Sequence, residues 1–448
     1  MSMSPHVNDP TLPTVPPKFK PAPAFPRSTA PVVRAAEDAA RGGPDAVRAF
    51  WRDAARTGTP VVAPAGPGEH TATFLWRGGD EVADVLLVAD RSADAGSFTR
   101  NRMERVPGSD IWHLTYRMGS DWRSSYAVAP VPADGAPPPG PLDPMTAVRR
   151  SRALAVAEPA DAPAIARWFD ALAHARPDPL ARERLDDRWS VASLPDAPPE
   201  AWRGLPTAAP AGRVDPLPFT GADPATARTV RVYTPAAGLP PAGERPVVVL
   251  LDGDDWHALP LAPLLDRLIA ARVLPPMVVA MVPSLDFAAR VRELACHDPF
   301  VAALTGELLP ALRAGFGVSA DPDRVLVAGQ SLGGLTALYT AHRFPERVGG
   351  AVAQSGSFWW PNVAAAGGES ERLTRLLAAA PEVPRRVHLS VGVHEWSLVG
   401  PTRRLRDTLR DRGADPHYAE YNGGHDRACW RVGLPDALAA LTHDWPRP

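Results

Sequence analysis

The chain of 448 residues is long enough for two or three domains, and its composition excludes several classes of protein. A formal net charge of -2, from 48 basic and 50 acidic residues, argues against a protein that coats nucleic acid or binds membranes through a polybasic segment. No apolar run approaches the roughly 18–20 residues that cross a bilayer, and the N-terminus lacks the apolar core of a secretory signal. We therefore expect a cytoplasmic protein.

The first half of the chain predicts a proline-rich arm followed by a β-sandwich. Residues 1–43 are rich in proline and alanine without periodicity, which indicates a disordered arm. A helix is predicted over residues 44–60, and short runs rich in β-branched and aromatic residues between 66 and 132 predict the strands of a small sandwich. With one more helix this N-terminal domain spans 44–185, and a proline-rich linker is expected over 186–225.

From residue 226 the pattern changes to unbroken apolar strands that alternate with helical segments. Strands without polar alternation are typical of a parallel sheet, because helices cover both of its faces. The sequence therefore predicts an α/β domain with a mostly parallel sheet over residues 226–448.

The most informative motif is G-x-S-x-G at residues 329–333, between an apolar strand and a helical segment. That context is typical of the nucleophile elbow of α/β-hydrolases. Its glycines let strand and helix approach closely, and the turn lifts the serine hydroxyl above the sheet edge at a helix N-terminus. We therefore predict that Ser331 is a catalytic nucleophile in an α/β-hydrolase domain. The alternative is a glycine-rich turn with an idle serine.

In this fold the acid and then the histidine follow the serine along the chain. His425, in a glycine-containing loop after the last predicted strand, is the predicted base, and His257 and His394 are its competitors because they also follow strands. Glu395 comes two residues after the strand RVHLSVGV and is the predicted acid, which would orient the imidazole. Asp426 is the second candidate for the acid.

An oxyanion hole requires two backbone N–H groups aimed at the reacting oxygen. One is expected from Leu332, the residue after the nucleophile. The other is expected from the loop after the strand VVVLL, near Gly253, because glycine permits a close backbone approach.

Longer segments around these motifs resemble the cytoplasmic enterochelin (enterobactin) esterases, over residues 44–445. In the catalytic half the matching segments are LLDGDDW (250–256), RVRELAC (290–296), AGQSLGGLTALY (328–339), QSGSFWWP (354–361) and NGGHDRACWR (422–431). In the N-terminal half they are FLWR (74–77), MERVPGSDIW (103–112) and DWRSSYAVAP (121–130), which look like the family's own N-terminal β-sandwich domain.

The resemblance implies hydrolysis of the serine-ester bonds of a ferric tris-catecholate trilactone such as enterobactin, with iron released inside the cell and no cofactor. By position it makes Ser331 the nucleophile, His425 the base and Glu395 the acid. Trp396 departs from the family, which often has proline at this position.

A ferric tris-catecholate carries three negative charges on flat rings, so a site for it needs cations and aromatic faces. The candidate cations are Arg290, Arg292 and Arg431. The candidate rings are Trp256, Phe358, Trp359, Trp360 and Trp430. The alternatives are solvated loop charges for the arginines and core packing for the rings.

Two other functions stay open on the sequence alone. One is a general carboxylesterase or acyltransferase of the same fold. The other is a ligand-binding protein whose β-sandwich acts beside a silent hydrolase domain. The expected partner is a small-molecule substrate, without nucleic acid or membrane. Cys296 and Cys429 are expected to be free thiols, and together with His297 they lack the ligand spacing of a metal site.

Overall fold

The computed structural model describes residues 25–89, 94–138, 140–155, 157–206, 208–221, 223–363 and 368–447. The chain divides into two units. The first contains residues 25–198 together with Asp426–Cys429, and the second contains residues 199–425 and 430–447. None of the helices in these described ranges is long and apolar enough to cross a membrane.

The first unit is built on two antiparallel four-stranded sheets, in the orders β1-β2-β5-β4 and β3-β6-β8-β7. Its strands are β1 (Val61–Gly66), β2 (Glu69–Arg77), β3 (Val82–Val88), β4 (Glu104–Arg105), β5 (Ile111–Gly119), β6 (Arg123–Pro132), β7 (Glu183–Arg184) and β8 (Ser190–Ser193). Its helices are α1 (Pro31–Arg41), α2 (Pro44–Thr57), α3 (Ser97–Arg100), α4 (Pro144–Ala155) and α5 (Ala162–Leu172).

Aromatic side chains fill the core of the sandwich. Phe74, Tyr116, Trp122 and Tyr126 are all buried there. Helices α1 and α2 pack with residues of β2 and β5, and α5 packs with residues of β3 and β6. Because the sheets thus bury side chains on both faces, β3 and the second half of β6 are nearly continuous apolar runs.

Three elements of the first unit differ from the sequence-based expectations. Helix α1 lies inside the predicted disordered arm, α4 lies in the segment expected to hold one helix, and β8 lies in the predicted linker. Helix α1 forms because proline at its first position loses no hydrogen bond and because Val33, Ala36 and Ala39 bury one face. Residues 1–24 of the predicted arm lie outside the described residues.

The second unit contains one eight-stranded sheet in the order β16-β15-β14-β13-β11-β12-β10-β9, whose strands β11 to β16 are parallel. The strands are β9 (Arg213–Phe219), β10 (Arg228–Thr234), β11 (Val247–Leu251), β12 (Val278–Val282), β13 (Val325–Gln330), β14 (Gly350–Gln354), β15 (Arg386–Gly392) and β16 (His417–Tyr421). The helices are α6 (Gly253–Ala258), α7 (Leu261–Ala270), α8 (Phe287–Glu293), α9 (Asp298–Ala303), α10 (Leu309–Phe316), α11 (Leu332–Arg343), α12 (Arg372–Ala379), α13 (Trp396–Asp411) and α14 (Arg427–Leu441).

The predicted linker over 186–225 also contains strand β9, which pairs antiparallel with β10 along seven residues. Pro216 and Pro218 lie within this strand. Proline is tolerated there because β9 is at the edge of the sheet, where alternate N–H groups have no neighbouring strand. The prediction of a mixed α/β chain with a mostly parallel C-terminal sheet and an N-terminal β-sandwich is confirmed.

Candidate active site

Ser331 occupies a strained turn between β13 and α11. Its backbone angles are φ 58° and ψ -122°, in the positive-φ region that side chains other than glycine rarely adopt. A Cβ placed at Gly329 would lie 2.5 Å from the carbonyl carbon of Gly333, so strand and helix approach too closely for any other residue. The turn leaves the serine half-buried, at the carboxyl end of a central strand.

The loop after β14 holds this turn through its backbone. The N–H of Ser331 donates to the carbonyl oxygen of Gln354 at 3.0 Å, and the N–H of Ser357 donates to that of Ser331 at 2.9 Å. The hydroxyl oxygens of Ser331 and Ser357 are 3.4 Å apart. The strained conformation is thus fixed from a neighbouring strand.

His425 and Glu395 form a close polar pair. Nδ1 of His425 lies 2.5 Å from Oε2 of Glu395, and the carboxyl side chain is 1% exposed against 40% for the imidazole. Because an ionised carboxylate only accepts hydrogen bonds, Nδ1 is the nitrogen that carries the proton, and Nε2 is the acceptor nitrogen of the neutral ring. The indole ring of Trp430 packs edge-on against the imidazole at 4.7 Å.

The other oxygen of Glu395 is bound just as firmly. Oε1 accepts hydrogen bonds from the hydroxyl of Ser355 at 2.6 Å, the N–H of Gly392 at 2.8 Å and the hydroxyl of Tyr421 at 3.2 Å. Nε1 of Trp430 donates to Oγ of Ser355 at 2.8 Å. A buried carboxylate with this many donors is satisfied and cannot rotate freely.

The competing residues are placed differently. Nε2 of His394 lies 2.8 Å from Oδ1 of Asn422, and His257 is exposed on α6. The carboxylate of Asp426 accepts from the N–H groups of Ser125 and Ala428, at 2.5 and 2.8 Å. The geometry therefore favours His425 as base and Glu395 as acid.

The two predicted oxyanion donors open neighbouring helices. Leu332 is the first residue of α11 and Gly253 the first residue of α6, so the helices leave their N–H groups without intrahelical partners. Strands β11 and β13, which precede these helices, pair in parallel and end at the same edge. A Cβ at Gly253 would lie 2.4 Å from the carbonyl carbon of Met281, so packing against β12 also requires glycine there.

A chain of buried side-chain amides links α6, β13 and β14, and the sequence analysis did not predict it. Nε1 of Trp256 donates to Gln330 at 2.9 Å, Nε2 of Gln330 donates to Gln354 at 3.1 Å, and Nε2 of Gln354 donates to the carbonyl oxygen of Trp430 at 3.0 Å. An indole N–H only donates and a carbonyl only accepts, so the two ends fix the orientation of both amides. The sequence feature that could have indicated this chain is a glutamine at the end of each of two apolar strands.

The three candidate arginines have different surroundings. Arg290 makes two hydrogen bonds to the carboxylate of Asp252, at 2.7 and 2.6 Å, and both side chains are mostly buried. Burial opposes its charge, but the carboxylate outweighs burial, so the pKa of Arg290 is raised. Arg431 lies 3.4 Å from Glu200, whereas Arg292 is exposed on α8. Arg292 is therefore the best placed of the three to meet a ligand.

Most of the candidate rings belong to the core. Trp256, Trp359 and Trp360 are each 3% exposed and Phe358 is fully buried, which leaves no ring face for a ligand. Their burial fits core packing, the alternative to ligand binding for these rings. Trp430 is half-buried, and its indole contacts the imidazole of His425 and the hydroxyl of Ser355.

Neither Cys296 nor Cys429 forms a disulfide bond. Burial raises the pKa of Cys296 to about 12, which makes that thiol unreactive at neutral pH. Sγ of Cys429 donates to the carbonyl oxygen of Arg123 at 3.4 Å. Across the ranges that the structure describes, no three His, Cys, Asp or Glu side chains are grouped to hold a metal ion.

The α/β sheet and the serine turn are typical of esterases, and two family models match the chain accordingly. The model described as putative esterase matches residues 222–441, and the model described as enterochelin esterase, N-terminal, matches residues 71–203. The chain belongs to the enterobactin (enterochelin) esterase family, as the sequence motifs predicted.

Relatives in three bacteria are similar over most of their length. The iron(III) enterobactin esterase of Dickeya dadantii is 33% identical, over 89% of this chain and 94% of the relative. The iron(III) salmochelin esterase of Escherichia coli O6:H1 is 30% identical, over 88% and 93%. The crystal structure of ferric enterobactin esterase from Salmonella typhimurium has a TM-score of 0.73 at 29% identity, over 89% and 99%.

Proposed function

We propose that this protein is a serine esterase that hydrolyses the ester bonds of ferric catecholate siderophores of the enterobactin type inside the cell. The observation that carries the proposal is the buried Glu395 carboxylate, 2.5 Å from Nδ1 of His425, together with a serine on a strained elbow of the same unit. The family's relatives, named as enterobactin and salmochelin esterases, supply the substrate class.

In the first step Nε2 of His425 accepts the proton of the Ser331 hydroxyl as Oγ attacks a lactone carbonyl. This step requires a hydrogen bond between Ser331 Oγ and His425 Nε2, and its formation with bound substrate is part of the proposal. The carboxylate of Glu395 stabilises the imidazolium. The N–H groups of Leu332 and the Gly253 turn hold the oxyanion.

Collapse of the tetrahedral intermediate breaks the ester C–O bond, and His425 returns its proton to the leaving serine hydroxyl of the substrate. The ring is now open and its acyl group is attached to Ser331. A water molecule, activated by the same imidazole, releases a linear product with a free carboxylate. Two further cycles yield single dihydroxybenzoyl-serine units. Iron takes part only as cargo of the substrate.

The charge of the ferric complex requires cations that can reach it. Arg292 is exposed on α8, in the segment that follows β12, and supports recognition of a trianion. The buried pair of Arg290 with Asp252 supports a structural role for that arginine, because its charge is already matched.

Ferric enterobactin, a ferric glucosylated salmochelin and a simple aryl ester, offered to the purified protein side by side, would test the proposal. Chromatography should show linear trimer, dimer and monomer from at least one siderophore, and the Ser331→Ala variant should form none. Turnover of the aryl ester alone would instead favour a general carboxylesterase. If the variant formed the products as fast as the wild type, the serine mechanism would be wrong.

A further inference from the structure

Few large apolar side chains stay exposed in the part of the chain that the structure describes, and three of the four lie at one edge of the large sheet. Leu285 lies in the loop after β12, while Val393 and Trp396 follow β15. The fourth, Val214, lies in edge strand β9. Because parallel strands end at the same edge, the first three share the edge that carries Ser331.

The backbone at Trp396 is held firmly, so its exposure does not come from a loose loop. The three preceding residues donate backbone hydrogen bonds to the carbonyl oxygens of Tyr421, Gly423 and Gly392, at 2.9, 3.1 and 2.9 Å. Trp396 is the first residue of α13 and directly follows Glu395. The chain thus keeps an indole 37% exposed one residue from the proposed acid.

The order of the strands places these side chains on both sides of the serine. Strand β15 lies two positions from β13 on one side, and β12 lies two positions from it on the other. With strands about 4.8 Å apart, each loop starts roughly 10 Å from the strand that ends at Ser331. This spacing suits a substrate whose aryl arms spread from a small central ester ring.

We propose that Trp396, with Val393 beside it, is a specificity-determining surface that packs against an aryl arm of the ester substrate. On the other side of Ser331, Leu285 and the exposed Arg292 receive a second arm, which is both apolar and anionic. The proposal rests on the ester hydrolysis proposed above, and it adds that this edge of the sheet selects esters that carry aryl arms. Offset stacking on an indole face favours flat rings, so an aliphatic ester gains little from it.

The test compares kcat/KM for a ferric aryl siderophore with kcat/KM for a short aliphatic ester such as ethyl butyrate. Trp396→Ala should lower the ratio of the two by about 5- to 10-fold, mainly through a higher KM for the siderophore. Trp396→Phe, which keeps a ring, should restore most of the ratio. Val214→Ala, which truncates an exposed apolar side chain on β9, is the matched control and should leave the ratio unchanged.

Each result decides a separate point. An unchanged ratio in Trp396→Ala would overturn the aryl surface, although Ser331→Ala would still abolish hydrolysis. An equal loss on both esters would also overturn it, because it would mean that Trp396 acts by positioning Glu395. A wild-type protein that does not cleave the siderophore at all would contradict the proposed function itself.

Discussion

The carboxylate of Glu395 is almost completely buried, yet both of its oxygens have hydrogen-bond partners. We expect Glu395→Gln to lower kcat by about 10³- to 10⁴-fold, because an amide can stabilise the wrong imidazole tautomer and cannot stabilise the imidazolium. Steady-state hydrolysis of the siderophore gives the comparison. Asp426→Asn is the control and should have a much smaller effect; a larger loss there would reverse the assignment of the acid.

Substitution of Arg290 and of Arg292, which lie two residues apart on α8, should affect different properties of the protein. Arg290→Met leaves the buried carboxylate of Asp252 without its charged partner, which should reduce the free energy of unfolding by about 3–5 kcal/mol. Arg292→Met should change it by less than about 0.5 kcal/mol but should raise KM for the ferric trianion. Denaturant titrations and substrate kinetics measure both effects. A stable Arg290→Met protein would contradict the structural role of the pair.

At the scale of single residues, the motif around Ser331 could be interpreted before the structure because its glycines carry steric information. The roles of the arginines could not, since an exposed and an ion-paired arginine look alike in sequence. The sequence predicts that Arg290 binds substrate, whereas its hydrogen bonds to the buried Asp252 support a structural role. The tryptophans of SGSFWW were ambiguous for the same reason, because an aromatic ring suits both a core and a ligand.

At the scale of elements, the buried amide chain connects α6, β13, β14 and the residue that packs against His425. Gln354→Leu removes the acceptor of the side-chain N–H₂ group of Gln330 and the side-chain donor to the carbonyl oxygen of Trp430, so the free energy of unfolding should fall by about 1–3 kcal/mol. If the chain also positions the base, kcat should fall by at least about tenfold while KM changes little.

The matched control for that variant is Thr340→Val, which removes a buried 2.7 Å hydrogen bond within α11 and has no link to the amide chain. It should lose stability without a loss of kcat. A Gln354→Leu protein with normal kcat would show that the chain contributes to stability alone.

The elements of the parallel sheet were predictable because most of its buried strands, such as β11 and β12, are continuous apolar runs. Strands β8 and β9 and helix α1 were missed because proline and polar residues obscure them. Their stability comes from pairing and packing with distant residues, such as β10 for β9 and the strands under α1, and no local pattern contains that information.

At the scale of the whole molecule, a buried histidine makes stability depend on pH. Burial, together with the neighbouring His417, lowers the pKa of His388 on β15 from 6.5 to about 4. The unfolded chain therefore takes up this proton first as the pH falls. The contribution of the neutral His388 to the free energy of unfolding is complete above a pH of about 6.5 and is lost towards a pH of about 4. Between pH 7 and pH 5 the free energy of unfolding should fall by roughly 2 kcal/mol.

Denaturant unfolding at pH 7 and pH 5 measures this difference. In His388→Leu the fall in the free energy of unfolding between pH 7 and pH 5 should be smaller by roughly 2 kcal/mol, whatever the substitution does to the stability at pH 7. An identical pH dependence in the variant and the wild type would assign the acid sensitivity to other groups.

Labelling with a fluorophosphonate, followed by peptide mass spectrometry, tests the catalytic serine most directly, because the probe bonds only to an activated nucleophile. We expect one phosphonylated residue, Ser331, no labelling in Ser331→Ala, and labelling slowed by at least about 100-fold in His425→Gln. Labelling of a different residue, or an undiminished rate in His425→Gln, would contradict the serine–histidine mechanism.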